Sequence, residues 1–154
     1  MELVKEKEKS NFSIGGLMKD AVKRIKKYKE LKADIVDIDL KIQELEEDMI
    51  GVSGQGNGER TGKTYKITSS VEQQAEKHIK EKDKLLRERA LKEREIARID
   101  NALTVLNEDE YDVVKTIHID NEKWWRLEEK YRKSYRALKY TEEDAIKKME
   151  KYLS

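Results

Sequence analysis

The sequence predicts an all-α fold, in which a long antiparallel, coiled-coil-like helical hairpin is followed by a small C-terminal helix-turn-helix domain. Charged residues make up 44% of the 154 residues and hydrophobic residues only 36%, so the chain cannot fill a broad globular core. It must bury its apolar side chains in narrow helical seams. The sequence has no proline, and its abundant Lys, Glu, Leu, Ile and Ala favour helix. Long uninterrupted helices are therefore expected.

The first predicted segment is a flexible basic arm over residues 1–16, because Lys and Glu alternate near its start with little to bury. The helical hairpin is predicted over 17–106. Its first helix carries apolar residues at heptad spacing, which is typical of a coiled-coil seam. These residues form two rows, Tyr28, Ile35, Ile42 and Met49 in one and Leu31, Ile38 and Leu45 in the other.

A glycine-rich linker is predicted over 51–69, since four glycines fall in the eight residues from Gly51 to Gly58 and the first helix is expected to stop there. The second helix is predicted from about Ser70 to Leu106, with a weaker pattern in the middle, where charges crowd in. Its apolar positions are Val71, Ala75, Ile79, Leu86, Ala90, Ile96, Ile99, Leu103 and Leu106. The linker is long enough for the helices to pair within one chain or between two chains.

The C-terminal domain is predicted over 107–154. Asn107 and Glu110 have capping-box spacing, and Asn121 and Ser134 are two further predicted helix caps. The side chains expected to pack from these helices are Tyr111, Val114 and Ile117, then Trp124, Leu127 and Tyr131, then Leu138, Ala145, Met149 and Tyr152. Short helices, a tight turn and a helix with basic residues at its start are typical of a helix-turn-helix.

Charge is distributed unevenly, although the net charge is only +1. Residues 1–32 contain ten bases and five acids, and residues 33–50 contain seven acids and one base. Residues 123–139 contain seven bases and two acids, which gives this short segment a charge of +5. A local excess of this size suits phosphate neutralisation, and it is equally typical of a solvated helix face.

Several classes of function are excluded or disfavoured. The absence of cysteine excludes disulfides, thiolate metal sites and a cysteine nucleophile. The two histidines, His78 and His118, are forty residues apart without ligand-spaced carboxylates, so no metal site is expected. No catalytic constellation is recognisable, and we expect a protein that is not an enzyme and has no cofactor. No apolar stretch approaches 18 residues, which predicts a soluble cytoplasmic protein without a membrane partner.

Four C-terminal segments resemble region 4 of a sigma factor. Residues 101–114 resemble its entering helix, 125–131 the first helix of the motif, 134–138 the start of the recognition helix and 145–149 its tail. Together with the hairpin, residues 45–50, the glycine-rich gap and residues 68–72, the chain from about residue 17 resembles the ArpU/RinA-type phage transcriptional regulators. The resemblance implies a phage or prophage activator of late genes that binds promoter DNA in the cytoplasm of a bacterial host.

The resemblance also implies a set of DNA-contacting residues. Ser134, Tyr135, Arg136 and Lys139 would read bases from the N-terminal part of the recognition helix. Lys123, Arg126, Lys130, Arg132 and Lys133 would contact phosphates. Double-stranded DNA is the expected partner. RNA polymerase and a second copy of the chain, paired through the long helices, are further candidates.

The sequence departs from the helix-turn-helix pattern at two positions, since the motif usually has a small residue where Glu128 stands and glycine where Arg132 stands. Local signals also allow a single helix over 122–140 that breaks at Thr141. Two alternative functions remain open for the chain. It could be a coiled-coil scaffold or assembly protein that recruits other proteins, or a phage small terminase subunit.

Overall fold

The computed structural model describes the backbone of residues 16, 18–55 and 64–154, and the side chains of residues 16, 18–51 and 70–154. The helices are α1 (Tyr28–Gln55), α2 (Thr64–Leu103), α3 (Glu108–Val114), α4 (Trp124–Tyr131) and α5 (Tyr135–Leu153), with a π-helical segment at Lys115–Ile119. Residues 18–26 are also helical and a turn at Lys27 separates them from α1. No strand occurs in these ranges, so the predicted all-α class is confirmed.

The glycine-rich segment is more helical than predicted. Helix α1 continues through Gly51 to Gln55 and α2 begins at Thr64, so only residues 56–63 separate the two helices. The prediction that the first helix stops at Gly51 was wrong, because one glycine costs a helix only about 1 kcal/mol and the helical hydrogen bonds continue past it. The predicted arm over 1–16 lies outside the described residues except for Gly16, which is helical.

The chain divides into two compact units, one of Lys32–Arg94 and the other of Glu95–Ser154 with the described residues up to Leu31. In the unit Lys32–Arg94, the heptad prediction for α1 is confirmed by burial. Ile38 is buried, the other predicted seam residues of this unit are half-buried, and most of the intervening residues are exposed. The half-buried seam residues are Ile35, Ile42, Leu45 and Met49.

The predicted seam of α2 needs a correction. Ile79 and Leu86, which were expected to be seam residues, are exposed. The half-buried positions instead continue the heptad from Val71 and Ala75 through polar and charged residues as well as apolar ones. They are His78, Lys82, Leu85, Arg89 and Lys92, and the predicted seam residue Ala90 is half-buried too. Lys82, Arg89 and Lys92 bury their alkyl chains along the seam while their charged ends reach outward. A search for apolar residues at heptad spacing does not detect such positions.

Ion pairs between described residues join α1 to α2. The Lys82 Nζ atom lies 2.8 Å from Glu46 Oε1, the Arg89 Nε atom lies 2.7 Å from Asp39 Oδ1, and the Lys92 Nζ atom lies 2.9 Å from Asp34 Oδ2. Residue numbers rise along α1 as they fall along α2, so the two helices run antiparallel through this unit. Partly exposed ion pairs each contribute about 0–1 kcal/mol to the stability of the fold. Their main effect is therefore to fix the register in which the two helices pair.

The other unit has a closed core. Its larger cluster of buried residues consists of Ala21, Ile25, Ile99, Ala102, Leu103, Val114, Ala145, Ile146, Met149 and Leu153. Arg24 and Glu95 sit beside this core and form a bidentate pair, with Nε–Oε1 and Nη2–Oε2 distances of 2.7 and 2.9 Å. A smaller cluster is formed by Val113, Ile117, Leu127 and Leu138. This second cluster links α3, the π-helical segment, α4 and α5.

The C-terminal caps are confirmed at two of three predicted positions. Asn107 and Glu110 form the reciprocal capping box, and the Ser134 hydroxyl accepts a hydrogen bond from the Ala137 amide. Asn121 is not a cap. It has a left-handed backbone with φ of 53°, and α4 begins after the extended residue Lys123. Asparagine tolerates this conformation as well as serving as a helix cap, so the residue type alone does not distinguish the two roles.

Two predicted core aromatics are exposed. Tyr111 and Tyr152 point to solvent, while the adjacent Leu153 is buried. Tyr111 was expected to pack with Val114 and Ile117, and the buried residue of that first turn is instead Glu110, held in the capping box. None of the helices in the described ranges is both long enough and apolar enough to cross a membrane.

Candidate nucleic-acid interface

The candidate site is built from α4, the three residues that follow it and the first two turns of α5. Leu127 of α4 and Leu138 of α5 are buried together in the smaller core, so they hold the two helices against each other. Arg132, the residue after α4, has a left-handed backbone with φ of 51° and ψ of 41°. Ser134 then caps α5. The turn between the two helices is therefore Arg132 to Ser134, and Arg132 takes the conformation that glycine would usually supply.

Aromatic side chains pack along α4 and at the start of α5. Trp124 and Tyr131 are half-buried against the smaller core, whereas Trp125 is 57% exposed. One tryptophan of the pair is thus a packing residue, as predicted. The rings of Trp124 and Tyr135 meet edge to face, with their centroids 5.1 Å apart. Such a pair ties the start of α5 to the start of α4.

The nine predicted DNA-contacting residues fall into two groups. Lys123, Arg132, Lys133 and Arg136 are exposed, and no ion pair involves them within the described part of the chain. The others already have contacts. Ser134 is the helix cap, Tyr135 packs on Trp124, and Arg126, Lys130 and Lys139 have acidic partners.

Lys130 is held by Asp112 of α3. The Lys130 Nζ atom lies 2.6 Å from Asp112 Oδ2, and the Tyr131 hydroxyl donates a 2.5 Å hydrogen bond to the same oxygen. Burial of Asp112 opposes its ionisation, but the bonds from Lys130 and Tyr131 outweigh it and keep the pKa of this carboxyl below its usual value. Burial, together with the hydrogen bond to Asp112, raises the pKa of Tyr131. Lys130 therefore contributes to the packing of α4 on α3.

Lys139 is held by a buried carboxylate. Its Nζ atom lies 3.1 Å from Glu142 Oε1 and 5.3 Å from the centroid of the Trp124 ring. Glu142 is buried, and His118 Nε2 lies 3.7 Å from the same oxygen, which is an ion-pair distance and too long for a hydrogen bond. Burial opposes ionisation of Glu142, but His118 and Lys139 outweigh it and lower the pKa of the carboxyl.

Sequence reasoning missed Glu142 and Asp112. Glu142 stands four residues after Leu138 and three before Ala145, so it lies on the same face of α5 as these two apolar residues. This position in the helix is a sequence signal that its carboxylate is buried. Both ring nitrogens of His118 and the second carboxylate oxygen of Glu142 have no hydrogen-bond partner within the described residues. Asp112 had no comparable signal, since its partners come from another helix.

Arg126 is engaged at the outer side of α4. Its Nη1 atom lies 3.0 Å from Glu122 Oε1, and its guanidinium lies 5.7 Å from the centroid of the exposed Trp125 ring. Arg136, by contrast, borders an open cavity of about 240 Å³ on the exposed side of α5, which Tyr135, Lys139, Tyr140 and Glu143 also line.

Among the described residues, three cations without an ion pair lie at the turn and the start of α5, namely Arg132, Lys133 and Arg136, and a fourth, Lys123, precedes α4. Chemically this arrangement can neutralise phosphates and, through Arg136, offer a planar fork of donors. Within the described ranges, no group of three or more His, Asp or Glu side chains is placed to hold a metal ion. No family model, curated protein or solved structure matches the chain.

Proposed function

We propose that the protein is a transcription regulator of the ArpU/RinA type, encoded by a phage or prophage, that binds promoter DNA through a helix-turn-helix. In this proposal α4 is the first helix of the motif, Arg132 to Ser134 form the turn, and α5 is the recognition helix. Helices α1 and α2 form the hairpin that precedes it. The protein acts without catalysis or a cofactor, and RNA polymerase is a further proposed partner.

The observation that carries the proposal is the left-handed backbone of Arg132. The motif needs a sharp turn after its first helix, and the sequence puts arginine where glycine is usual. Arg132 supplies that turn without glycine, and its charge adds to those of Lys133 and Arg136 at the start of α5. The alternative of one continuous helix from 122 to 140 does not fit, since the helix over Trp124–Tyr131 ends before Arg132 and the next one begins at Tyr135 and continues through Thr141.

Arg136 is the proposed base reader. It lies in the first turn of α5, is exposed, and has no acidic partner within the residues described. Its planar guanidinium matches the O6 and N7 acceptors of guanine in the major groove. Lys139, one turn further along, would have to leave Glu142 and Trp124 to reach DNA. Lys123, Arg132 and Lys133 are the proposed phosphate contacts that set the register of the protein on the duplex.

The test is fluorescence anisotropy with a random-sequence duplex at about 50 mM and about 200 mM salt. The variant is Lys133→Ala with Arg136→Ala, and the matched control is Lys147→Ala with Lys151→Ala. The control removes two exposed cations from the far part of the same helix. Lys139 is left intact because its loss would disturb the buried carboxylate beside it.

We expect the wild-type protein to bind at low salt, to lose affinity as salt rises, and to bind more weakly in the turn variant than in the control. Absence of binding at low salt would contradict the proposal and favour the coiled-coil scaffold. Binding by large rings of the chain, measured by light scattering, would favour a small terminase subunit. Equal weakening in both variants would indicate a diffuse electrostatic surface in place of a recognition helix.

A further inference from the structure

A buried carboxylate lies on α5 behind the proposed DNA contacts. Glu142 of α5 and His118 of the π-helical segment are 5% and 7% exposed. The His118 Nε2 atom lies 3.7 Å from Glu142 Oε1, and the Lys139 Nζ atom lies 3.1 Å from the same oxygen. Of these three side chains Lys139 alone reaches solvent, with 42% of its surface exposed. His118, Lys139 and Glu142 are called the Glu142 cluster below.

Glu142 needs a cation beside it. Burial opposes ionisation of Glu142, but its contacts with His118 and Lys139 outweigh this effect and lower the pKa of the carboxyl. Removal of the partner of a buried charge is strongly unfavourable, because the charge that remains has neither water nor a counterion. While His118 is neutral, Lys139 is the one cation of the Glu142 cluster. Lys139 is therefore held on Glu142 and away from a duplex.

His118 is placed to take over this role. Neither of its ring nitrogens has a hydrogen-bond partner within the described residues. A protonated imidazole donates from both nitrogens, and Nε2 needs to move by less than about 1 Å to hydrogen-bond Glu142 Oε1. The cluster then holds two cations against one carboxylate. Lys139 is the cation that can leave, since its amine ends a flexible chain that reaches solvent.

The other acids around His118 do not take part in this exchange. Within the described residues, Glu142 is the one acid at ion-pair distance from His118. The buried and half-buried acids of α3, and the acid that follows the π-helical segment, have cations of their own. These pairs are Glu110–Lys148, Asp112–Lys130 and Asp120–Lys29. The remaining half-buried acids of α4 and α5, which form no ion pair with His118, are Glu128, Glu143 and Glu150.

We propose that protonation of His118 frees Lys139 from Glu142 and adds Lys139 to the DNA-contacting surface as a further phosphate contact. Lys139 and Arg136 line the same open cavity on the exposed side of α5. Because coupling between two binding events is reciprocal, DNA binding then takes up a proton at His118. The DNA contact rests on the proposed function, whereas the exchange of partners at Glu142 does not.

The first test measures the slope of log K against log salt by fluorescence anisotropy with a random-sequence duplex. It is done at about pH 8 and about pH 5.5, on either side of the pH at which histidine ordinarily titrates, about 6.5. The variants are His118→Gln and Lys139→Gln. The matched control is His78→Gln, which removes the other histidine of the chain.

We expect the slope of the wild type and of the control to steepen in acid by about 0.9 more than the slope of either variant, because one further phosphate is neutralised. An equal change in all four proteins would overturn the proposal. So would a wild-type change that persists in Lys139→Gln, since another group would then supply the additional contact.

The second test needs no DNA. Urea denaturation at the same two pH values compares Lys139→Gln with the wild type. We expect Lys139→Gln to lower the urea midpoint more at about pH 8 than at about pH 5.5, since protonated His118 replaces the missing cation in acid. A variant that folds only in acid would be the extreme form of this result. An equal loss at both pH values would overturn the exchange.

The His118→Gln background separates the two groups that can titrate beside Lys139. In that background the loss caused by Lys139→Gln should be the same at both pH values. A loss that still became smaller in acid would assign the effect to protonation of Glu142 itself and would overturn the role of His118.

The two tests also distinguish failure of this inference from failure of the proposed function. Absence of DNA binding at both pH values would contradict the proposed function, and the urea midpoints would still decide the exchange at Glu142. Midpoints that show the exchange, together with DNA binding whose slope does not change with pH, would mean that the freed Lys139 does not contact DNA. That result would overturn the proposed phosphate contact.

Discussion

Replacing Arg132 by glycine should stabilise the fold and weaken DNA binding at the same time. The Arg132 backbone, with φ of 51° and ψ of 41°, lies in the left-handed region. In this region the Cβ atom of an L residue destabilises the folded state by roughly 1–2 kcal/mol, a strain that glycine lacks. Glycine also has more backbone entropy in the unfolded chain, which lowers the free energy of unfolding by about 0.5–1 kcal/mol. The difference predicts a net gain of about 0.5–1 kcal/mol in the free energy of unfolding.

The assay for stability is urea denaturation followed by tryptophan fluorescence. Trp124 and Trp125 are the two tryptophans of the chain and lie at the start of α4, so their fluorescence reports on the unit that contains the turn. The matched control is Lys133→Gly, which removes one positive charge from the adjacent position. Among the described non-glycine residues, positive φ occurs at Asn121 and Arg132 and not at Lys133. The control should therefore lose stability by about 0.5–1 kcal/mol.

The assay for binding is the dependence of duplex affinity on salt. Each variant removes one proposed phosphate contact, so each should reduce the slope of log K against log salt by about 0.9. The two variants should thus match in binding and differ in the sign of their stability change. If Arg132→Gly lost as much stability as Lys133→Gly, the argument from the left-handed turn would be refuted. If it bound DNA as the wild type does, Arg132 would have no role in phosphate contact.

Three further outcomes follow from the structure. Lys139→Ala should destabilise the protein by about 1–3 kcal/mol in urea denaturation, because a buried carboxylate loses its closest cation, whereas Arg136→Ala should change stability by less than about 0.5 kcal/mol. Asp112→Asn should remove a pH-dependent part of stability: the pKa of Asp112 is lower in the folded than in the unfolded state, so its contribution is complete above the ordinary aspartate pKa and is lost as pH falls through the folded pKa. Denaturation at neutral and acidic pH should therefore show the wild type losing its advantage over the variant in acid. Gly51→Ala should raise the helix content by circular dichroism and stabilise α1 by about 0.5–1 kcal/mol, because the glycine is helical and an added Cβ meets open space.

The seam of α1 could be predicted from the sequence because, within the described residues, its buried and half-buried positions are apolar except for Asp34. The seam of α2 could not, since Lys82, Arg89 and Lys92 occupy heptad positions that a hydrophobicity pattern assigns to solvent. Their burial depends on acids of α1 that face them only once the two helices pair. The apolar pattern then shifts by one residue, to Ile79 and Leu86, which is why these two were assigned to the seam.

Helix caps could be predicted from the sequence where the capping residue and its partner lie close together in the chain. The capping box at Asn107 and the cap at Ser134 depend on side chains within three residues in sequence. Asn121 and Arg132 show the limit of this reasoning. Asparagine serves both as a cap and as a left-handed residue, and arginine at a left-handed position has no sequence signal. Which role each takes is decided by the packing of α4 between the smaller core and the helices on either side.

The contacts of the cations also set how many phosphates the proposed site can neutralise. The sequence supplies seven bases between residues 123 and 139, which would give a slope of log K against log salt of about −6 if all reached phosphates. Arg126, Lys130 and Lys139 already have acidic partners, which leaves Lys123, Arg132, Lys133 and Arg136. Arg136 is the proposed base reader, so the other three are phosphate contacts and predict a slope of about −3, to be measured by anisotropy titration over several salt concentrations. A slope near −6 would mean that DNA withdraws the three paired cations from their acids, and Lys139→Ala would then weaken binding as much as Arg136→Ala.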